Sequence, residues 1–269
     1  MLKVENAAFS YKKGTDNLFQ NLDFEVQKGE TLAILGPNGV GKTTLLRCIM
    51  RFLMLREGSI FVDNINASTM TSLQFWRKIS YVPQAKKLVF GYTALDMVVM
   101  GVSQNLAFGT APKKKDYEKA YHLLDQFGIA SLAEQSCNTL SGGQLQMILI
   151  ARALIKEPEL LIMDEPESNL DMKNQLIVLN TIESLTKSNL AIVINTHYPA
   201  HALRCAQKTL RLGDDRYAFG DTREMVTEDN IRSFFGIDAE IVNGKNHAKE
   251  VKGVLPIDLL EDRHPGYNA

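Results

Sequence analysis

The stretch that most restricts what this chain can become is Gly36-Pro37-Asn38-Gly39-Val40-Gly41-Lys42-Thr43. It satisfies the pattern GxxxxGK[ST]. It is preceded by the short apolar run "TLAIL" (Thr31–Leu35) and followed by "TTLLRCIMRFLM" (Thr43–Met54), which reads as a helix. As a bare pattern such a loop occurs by chance, but a buried strand before it and an apolar helix after it give it a mechanism. The glycines let the backbone curl so that successive N–H groups face phosphate oxygens, Lys42 reaches the β- and γ-phosphates, and the Thr43 hydroxyl ligates Mg²⁺.

Other segments supply the α/β framework that such a loop requires. "LLIMD" (Leu160–Asp164) and "LAIVIN" (Leu190–Asn195) are continuous apolar runs, as in parallel strands covered on both faces. A helix over Met172–Lys187 lies between them. Leu2–Phe9 and Leu18–Val26 alternate apolar with polar residues and read as antiparallel strands joined by the "YKKGTDN" turn. "GSIFVD" (Gly58–Asp63) reads as a strand, "SLQFWRKI" (Ser72–Ile79) as a short helix, and "SYVPQ" (Ser80–Gln84) as a strand ended by Pro83. Over about residues 88–157 the character turns helical. "TALDMVVMGV" has helical periodicity, "GTAPKKKD" is a loop, and "YEKAYHLLDQFG" is amphipathic with Gly128 as its stop. The expected architecture is an α/β P-loop NTPase core over 1–220, with an N-terminal antiparallel β-subdomain and a helical insertion. A C-terminal extension, 221–269, packs on that core, and its polar stretch "NGKNHAKEVKG" (Asn243–Gly253) reads as a loop.

Composition narrows the partners. Thirty Lys+Arg against thirty-one Asp+Glu leave a net charge of -1, so no strongly basic field points to nucleic acid. Cys48, Cys137 and Cys205 are far apart and lack CxxC spacing, which argues against a disulfide framework or a zinc site and for a reducing compartment. The start, "MLKVENAAFS", lacks the basic region and apolar core of a secretory signal. The best candidate for a membrane span, "LVFGYTALDMVVMGV", is broken by Asp96 and two glycines. The expectation is a cytosolic chain that, if it works at a membrane, borrows its spans from another subunit.

Further groups gather where ligands of open α/β sheets sit, at strand C-terminal ends. "LLIMDE" ends in two acids, and buried acids are costly unless paired or bound to a cation. Asp164 is placed to hold Mg²⁺ through water, and Glu165 to orient or deprotonate an attacking water. Taken alone, the pair also fits a solvated strand end. Glu167 is a rival base, but it lies beyond Pro166 and off the strand axis. "VINTHYPAH" delivers Thr196 and His197, and His197 is suited to donate a hydrogen bond to a γ-phosphate. His197 and His201 have i,i+4 metal spacing, yet Pro199 intervenes and no third ligand is evident, so zinc is not expected. Gln84 follows Pro83, where its amide can reach Mg²⁺ or the water. Tyr11 follows a strand, where its ring can stack on adenine or simply occupy a surface turn. A second anion cup is "NTLSGGQLQM" (Asn138–Met147): Ser141, Gly142, Gly143 and Gln144 open an apolar helix, with free N–H groups and the positive end of its dipole.

Taken together, over about Met1–Asp221, these stretches resemble the nucleotide-binding subunit of ABC transporters. The order of phosphate loop, "YVPQ", "LSGGQ", "LLIMDE", "SNLD" and "NTH" carries the resemblance. It implies that Gly36, Pro37, Asn38, Gly39, Val40, Gly41, Lys42, Thr43 and Thr44 form the Walker A loop, Gln84 the Q-loop and Leu140–Gln144 the signature. Asp164 resembles the Walker B aspartate, Glu165 the catalytic glutamate, Ser168–Asp171 the D-loop, His197 the switch histidine and Tyr11 the adenine-stacking aromatic. The implied function is ATP hydrolysis with Mg²⁺, coupled to transmembrane transport. The implied partners are a second copy, paired head to tail so that each ATP lies between one Walker A loop and the other signature, and an integral-membrane permease. An extracytoplasmic binding protein acts indirectly, and the chain is placed on the cytoplasmic face of the membrane. Met147 stands where an arginine is common after the signature, Glu167 replaces a small residue, and "HYP" follows where an acid is common. "YTALDMVVMG" and "VTEDNIRSFFGIDAEIV" look like importers of metal chelates (iron–siderophore, haem or cobalamin), while molybdate uptake systems share the layout. An ABC ATPase of iron–sulfur cluster assembly also fits the size. A small-molecule P-loop kinase would leave "LSGGQ" and "SNLD" unexplained.

Overall fold

The computed structural model describes residues 1–12, 16–85, 91–105, 110–213, 217–246 and 249–260. Residues 13–15 of the first expected turn, 88–90 at the start of the helical region and Gly109 of the "GTAPKKKD" loop lie outside them. The elements in chain order are β1 (Leu2–Phe9), β2 (Phe19–Val26), β3 (Thr31–Leu35), α1 (Lys42–Ile49), β4 (Glu57–Val62), β5 (Ile65–Asn66), α2 (Ser72–Lys78), β6 (Ile79–Val82), α3 (Ala94–Val99), α4 (Lys114–Gln126) and α5 (Gly142–Leu154). They continue with β7 (Leu160–Asp164), α6 (Met172–Lys187), β8 (Ala191–Thr196), α7 (Pro199–Cys205), β9 (Lys208–Leu212), β10 (Tyr217–Asp221), α8 (Thr222–Met225), α9 (Glu228–Phe235), β11 (Ile237–Asn246) and β12 (Lys249–Leu259). The fold is mixed α/β, with a sheet that is largely parallel and a separate antiparallel sheet. The chain divides into two compact units: Met1–Leu2, Gln27–Gly29 and Phe61–Ile194 form one, and Lys3–Val26, Glu30–Ile60 and Asn195–Ala269 the other.

In the second unit β3 is buried at every position. It pairs in parallel with β9, from Leu32↔Lys208 to Leu35↔Arg211, and β10 returns antiparallel along β9. A strand enclosed in this way has no face for polar residues, which is why "TLAIL" carries no alternation. β2, by contrast, alternates in its burial, as an antiparallel strand with one solvated face does. Helix α1 is shorter than its apolar periodicity suggests. It ends at Ile49, Arg51 takes φ +64°, and the Arg51 and Phe52 N–H groups donate to the carbonyls of Cys48 and Arg47 at 2.9 and 2.8 Å. These bonds satisfy the last helical carbonyls, and Phe52 and Met54 are left exposed.

The C-terminal region corrects one expectation. Residues 243–246 and 249–253 are strand rather than loop: β11 and β12 pair antiparallel through Asn243↔Lys252, Gly244↔Val251, Lys245↔Glu250 and Asn246↔Lys249, with His247 and Ala248 outside the described residues. A ladder is made by backbone groups, so a polar stretch whose side chains need no burial can still be a strand when its partner strand follows directly. β12 packs against α7, and α9 packs against β11.

In the first unit β6 and β7 pair in parallel, from Ile79↔Leu160 to Val82↔Met163. Helix α6 begins and ends where the sequence pattern places it, with Asp171 as its N-cap. Helix α5 is buried along most of its length and packs against α3, α4 and α6. Helix α3 gives way to a 3₁₀ turn over Met100–Asn105. Among the described residues no helix is long and apolar enough to cross a membrane.

Lys156, just beyond α5, donates to the carbonyl of Trp76 and to that of Ile79 at 2.6 Å, tying it to the end of α2. Burial pushes its pKa from the ordinary 10.5 down to about 8. The unfolded chain therefore holds this proton more tightly than the folded one, and stability linked to Lys156 rises with pH between the two values. The stability difference between the wild-type chain and Lys156→Met, measured by denaturant unfolding, is expected to shift in favour of the wild type between pH 8 and pH 10.5.

Candidate nucleotide-binding site

The second unit carries the phosphate loop between β3 and α1. Gly41 takes φ +102° immediately before the helix, a conformation that favours glycine. Asn38 and Gly39 are exposed at the tip, while Gly36 and Val40 are buried. Lys42 is only 5% exposed; its ammonium folds back to donate to the carbonyls of Gly36 and Pro37, each at 2.8 Å. The loop thus holds a cation against its own backbone. The Thr43 hydroxyl accepts a hydrogen bond from the Asn195 amide at 3.3 Å. Thr44 is buried, and its hydroxyl lies 2.8 Å from that of Tyr11. Tyr11 also meets Phe9 edge-on, with ring centroids 5.0 Å apart, while remaining 65% exposed. Its hydroxyl is tethered to the end of the loop and much of its ring is open. His197 follows the end of β8 and is half-buried.

The first unit carries the acids and the second cup. Asp164 ends β7, and its Oδ2 accepts from the Tyr81 hydroxyl at 3.4 Å. Glu165 takes φ +47° and is held by Ser168, whose hydroxyl donates to Oε2 at 2.9 Å and whose N–H donates to the Glu165 carbonyl at 3.1 Å. Glu165 keeps an accessible surface, whereas Glu167 is 1% exposed. That difference favours Glu165 as a group able to meet water. Gln84 is half-buried, and the next N–H in the chain, that of Ala85, donates to the Gln146 side-chain oxygen at 3.1 Å. The segment carrying Gln84 is thereby tied to α5.

The signature tip is closed on itself by a reciprocal cap. Ser141 Oγ accepts from the Gln144 N–H at 3.3 Å, and the Ser141 N–H donates to Gln144 Oε1 at 2.9 Å. Gly143 has no room for a side chain, because a Cβ there would lie 2.2 Å from Cγ of Asn174. Asn174 is itself fixed by Asp171: its N–H donates to Oδ1 and its amide to Oδ2, both at 2.8 Å. The starts of α5 and α6 are thus locked together. Met147 is 5% exposed on α5, with its sulfur 3.9 Å from the Thr181 hydroxyl of α6. A buried thioether fills this helix contact where the resemblance led one to look for an arginine.

The sequence-predicted residues therefore fall into two groups. Tyr11, residues 36–44 and His197 belong to the second unit. Gln84, residues 141–144, Asp164, Glu165 and Asp171 belong to the first. Sequence reasoning missed Asn195, Gln146 and Asn174. The signal for the first two was a polar residue inside an apolar run, "VINTH" and "LQMILI", where burial demands a partner. Nothing in the sequence pointed to Asn174. Among the described residues no cluster of three His, Cys, Asp or Glu side chains suited to a metal ion is present.

A glycine-rich loop that encloses a lysine ammonium, on an α/β fold with acids at a strand end, defines a P-loop nucleotide-binding protein. The ABC transporter family matches residues 19–168, and the chain belongs to that family. It is 38% identical over 235 residues to the molybdate import ATP-binding protein MolC of Haemophilus influenzae, covering 87% of each chain. Among solved structures it resembles the corresponding chain of a transporter described as metal-chelate type, in an inward-facing conformation, with TM-score 0.84, 35% identity and coverage of 95% and 96% of the two chains. It also resembles a dimeric ATP-binding cassette in a post-hydrolysis state bound to ADP and phosphate, with TM-score 0.71, 27% identity and coverage of 83% and 99%.

The crowding at Gly143 can be measured. Gly143→Ala must displace Asn174 and with it the bonds to Asp171, and its ATPase rate is expected to fall by about tenfold or more, corresponding to about 1.4 kcal/mol. Asn174→Gly in the same chain removes all three clashing atoms, Cγ, Oδ1 and Cβ, and is expected to restore part of the rate.

Proposed function

We propose that this chain is the ATP-hydrolysing subunit of an ABC importer, and that two copies close around ATP to drive an integral-membrane permease from the cytoplasmic face of the membrane. The observation that carries this proposal is the Lys42 ammonium drawn between two loop carbonyls. That placement suits a polyphosphate, whose oxygens take hydrogen bonds from the loop N–H groups and charge from the lysine. Gly36, Pro37, Asn38, Gly39, Val40, Gly41, Lys42, Thr43 and Thr44 hold the phosphates, and Tyr11 offers its open ring to adenine.

The residues present also suit Mg²⁺, a hard cation that takes oxygen ligands. The Thr43 hydroxyl, the Asp164 carboxylate and the Gln84 side-chain oxygen are such ligands. Mg²⁺ would neutralise charge on the phosphates. Glu165 orients or deprotonates the attacking water, and Ser168 steadies its carboxylate. His197 donates a hydrogen bond to the γ-phosphate. From the second copy, Ser141, Gly142, Gly143 and Gln144 present a helix N-terminus to the same nucleotide, with Asp171 beside them. The likeness to a dimeric cassette supports this pairing. Residues 1–220 act as the ATPase domain, with 88–157 as its helical part and 221–269 as an extension packed on it.

The cargo proposed is a metal chelate of the iron–siderophore, haem or cobalamin kind, delivered to the permease by an extracytoplasmic binding protein. The likeness to a transporter described as metal-chelate type supports it. Molybdate is the second reading, favoured by the relative from Haemophilus influenzae.

Glu165→Gln tests the chemistry. It is expected to bind ATP, to hydrolyse it about 10²–10⁴-fold more slowly, and to accumulate as an ATP-bound dimer in size-exclusion chromatography. Near-normal turnover would remove Glu165 from its role. Co-purification from membranes tests the coupling, with a polytopic permease as the expected partner.

A further inference from the structure

Tyr198 lays its ring against two imidazoles. Its ring centroid is 4.0 Å from that of His197, with 38° between the planes, and 4.7 Å from that of His201, with 46° between the planes. The backbone beneath this stack is fixed at several points. The Tyr198 N–H donates to the Thr196 hydroxyl at 3.1 Å, and its carbonyl accepts from the His201 N–H at 3.1 Å. Pro199 opens α7, and its ring holds φ for the first helical turn. The stack therefore stands on a short, stiff piece of chain. Tyr198 is also 37% exposed, so filling the core does not account for its position. Its ring meets both imidazoles.

An imidazole at a strand end needs such support. Rotation about χ2 of histidine is broad, while a hydrogen bond to a phosphate oxygen weakens steeply as its angle departs from linearity. A flat ring packed against the imidazole removes part of that freedom. In this family an acid is common at this position, whereas here the neighbour of His197 acts through an aromatic face. We infer that Tyr198 is a positioning residue for ATP hydrolysis: its ring, backed by His201, holds the His197 imidazole in the orientation that presents an N–H to the γ-phosphate. This inference rests on the role proposed for His197.

Steady-state ATPase kinetics on the purified full-length chain separate the two claims. Tyr198→Leu keeps an apolar side chain but no ring faces; its kcat is expected to fall about tenfold with KM for ATP changed less than about twofold, the signature of an interaction made in the transition state. Tyr198→Phe keeps the ring and is expected to stay within about twofold of wild type in both constants. His197→Ala is expected to be slow, and the double variant His197→Ala/Tyr198→Leu no slower than His197→Ala alone, because residues acting through one another are not additive. Wild-type kcat in Tyr198→Leu, an equal loss in Tyr198→Phe, or additive losses in the double variant would overturn the inference while leaving His197 in place. Wild-type kcat in His197→Ala would overturn the role of His197 and the inference with it. Thermal unfolding of each variant checks that the fold persists, and Tyr198→Met takes the place of Tyr198→Leu if the latter does not fold.

Discussion

A lysine only 5% exposed to solvent, its ammonium turned back onto its own loop, is the constraint around which the rest of this molecule is arranged. A charge so enclosed is tolerated only when polar groups surround it, and here the carbonyls of Gly36 and Pro37 do so. For those carbonyls to turn inward the loop must curl tightly, which requires the left-handed backbone at Gly41. For the loop to stay curled it must hang from rigid supports, and β3, buried at every position and paired with β9, is one of them. Tyr11 and Asn195 then brace Thr44 and Thr43, which open α1 beside the lysine.

The other unit shows the same economy with different groups. Its functional segments are held by side chains that reach across helix and strand ends. Ser168 restrains Glu165, Gln146 restrains the residue after Gln84, and Asn174 wedges between Gly143 and Asp171. Each of these supports is a single polar side chain that makes one or two hydrogen bonds.

Much of this was legible in the sequence, for physical reasons. Strands such as β3 and β7 are enclosed and so are apolar over nearly their whole length, and α6 fills the stretch that follows the second of them. The phosphate loop is legible because few other residue types let a backbone curl around an anion. The length of α1 was not legible, because its apolar residues continue past Ile49 into a turn whose carbonyls are satisfied by Arg51 and Phe52. The strands β11 and β12 were hidden because backbone pairing does not require apolar side chains. Asn174 escaped notice because an exposed helix start is an ordinary place for asparagine, and only the geometry shows what it touches.

The cap on α5 has a consequence for how tightly anything can be held there. Ser141 and Gln144 already satisfy one another. A phosphate that takes the Ser141 N–H or the Gln144 N–H must exchange an existing hydrogen bond for a new one, so its net gain there is the difference between two bonds of similar strength, whereas the Ser141 hydroxyl, an acceptor in the cap, still has its proton to give. A tip built this way is a poor trap and a good meeting point. It favours an anion contact that forms and dissolves readily, because the reciprocal cap is there to re-form.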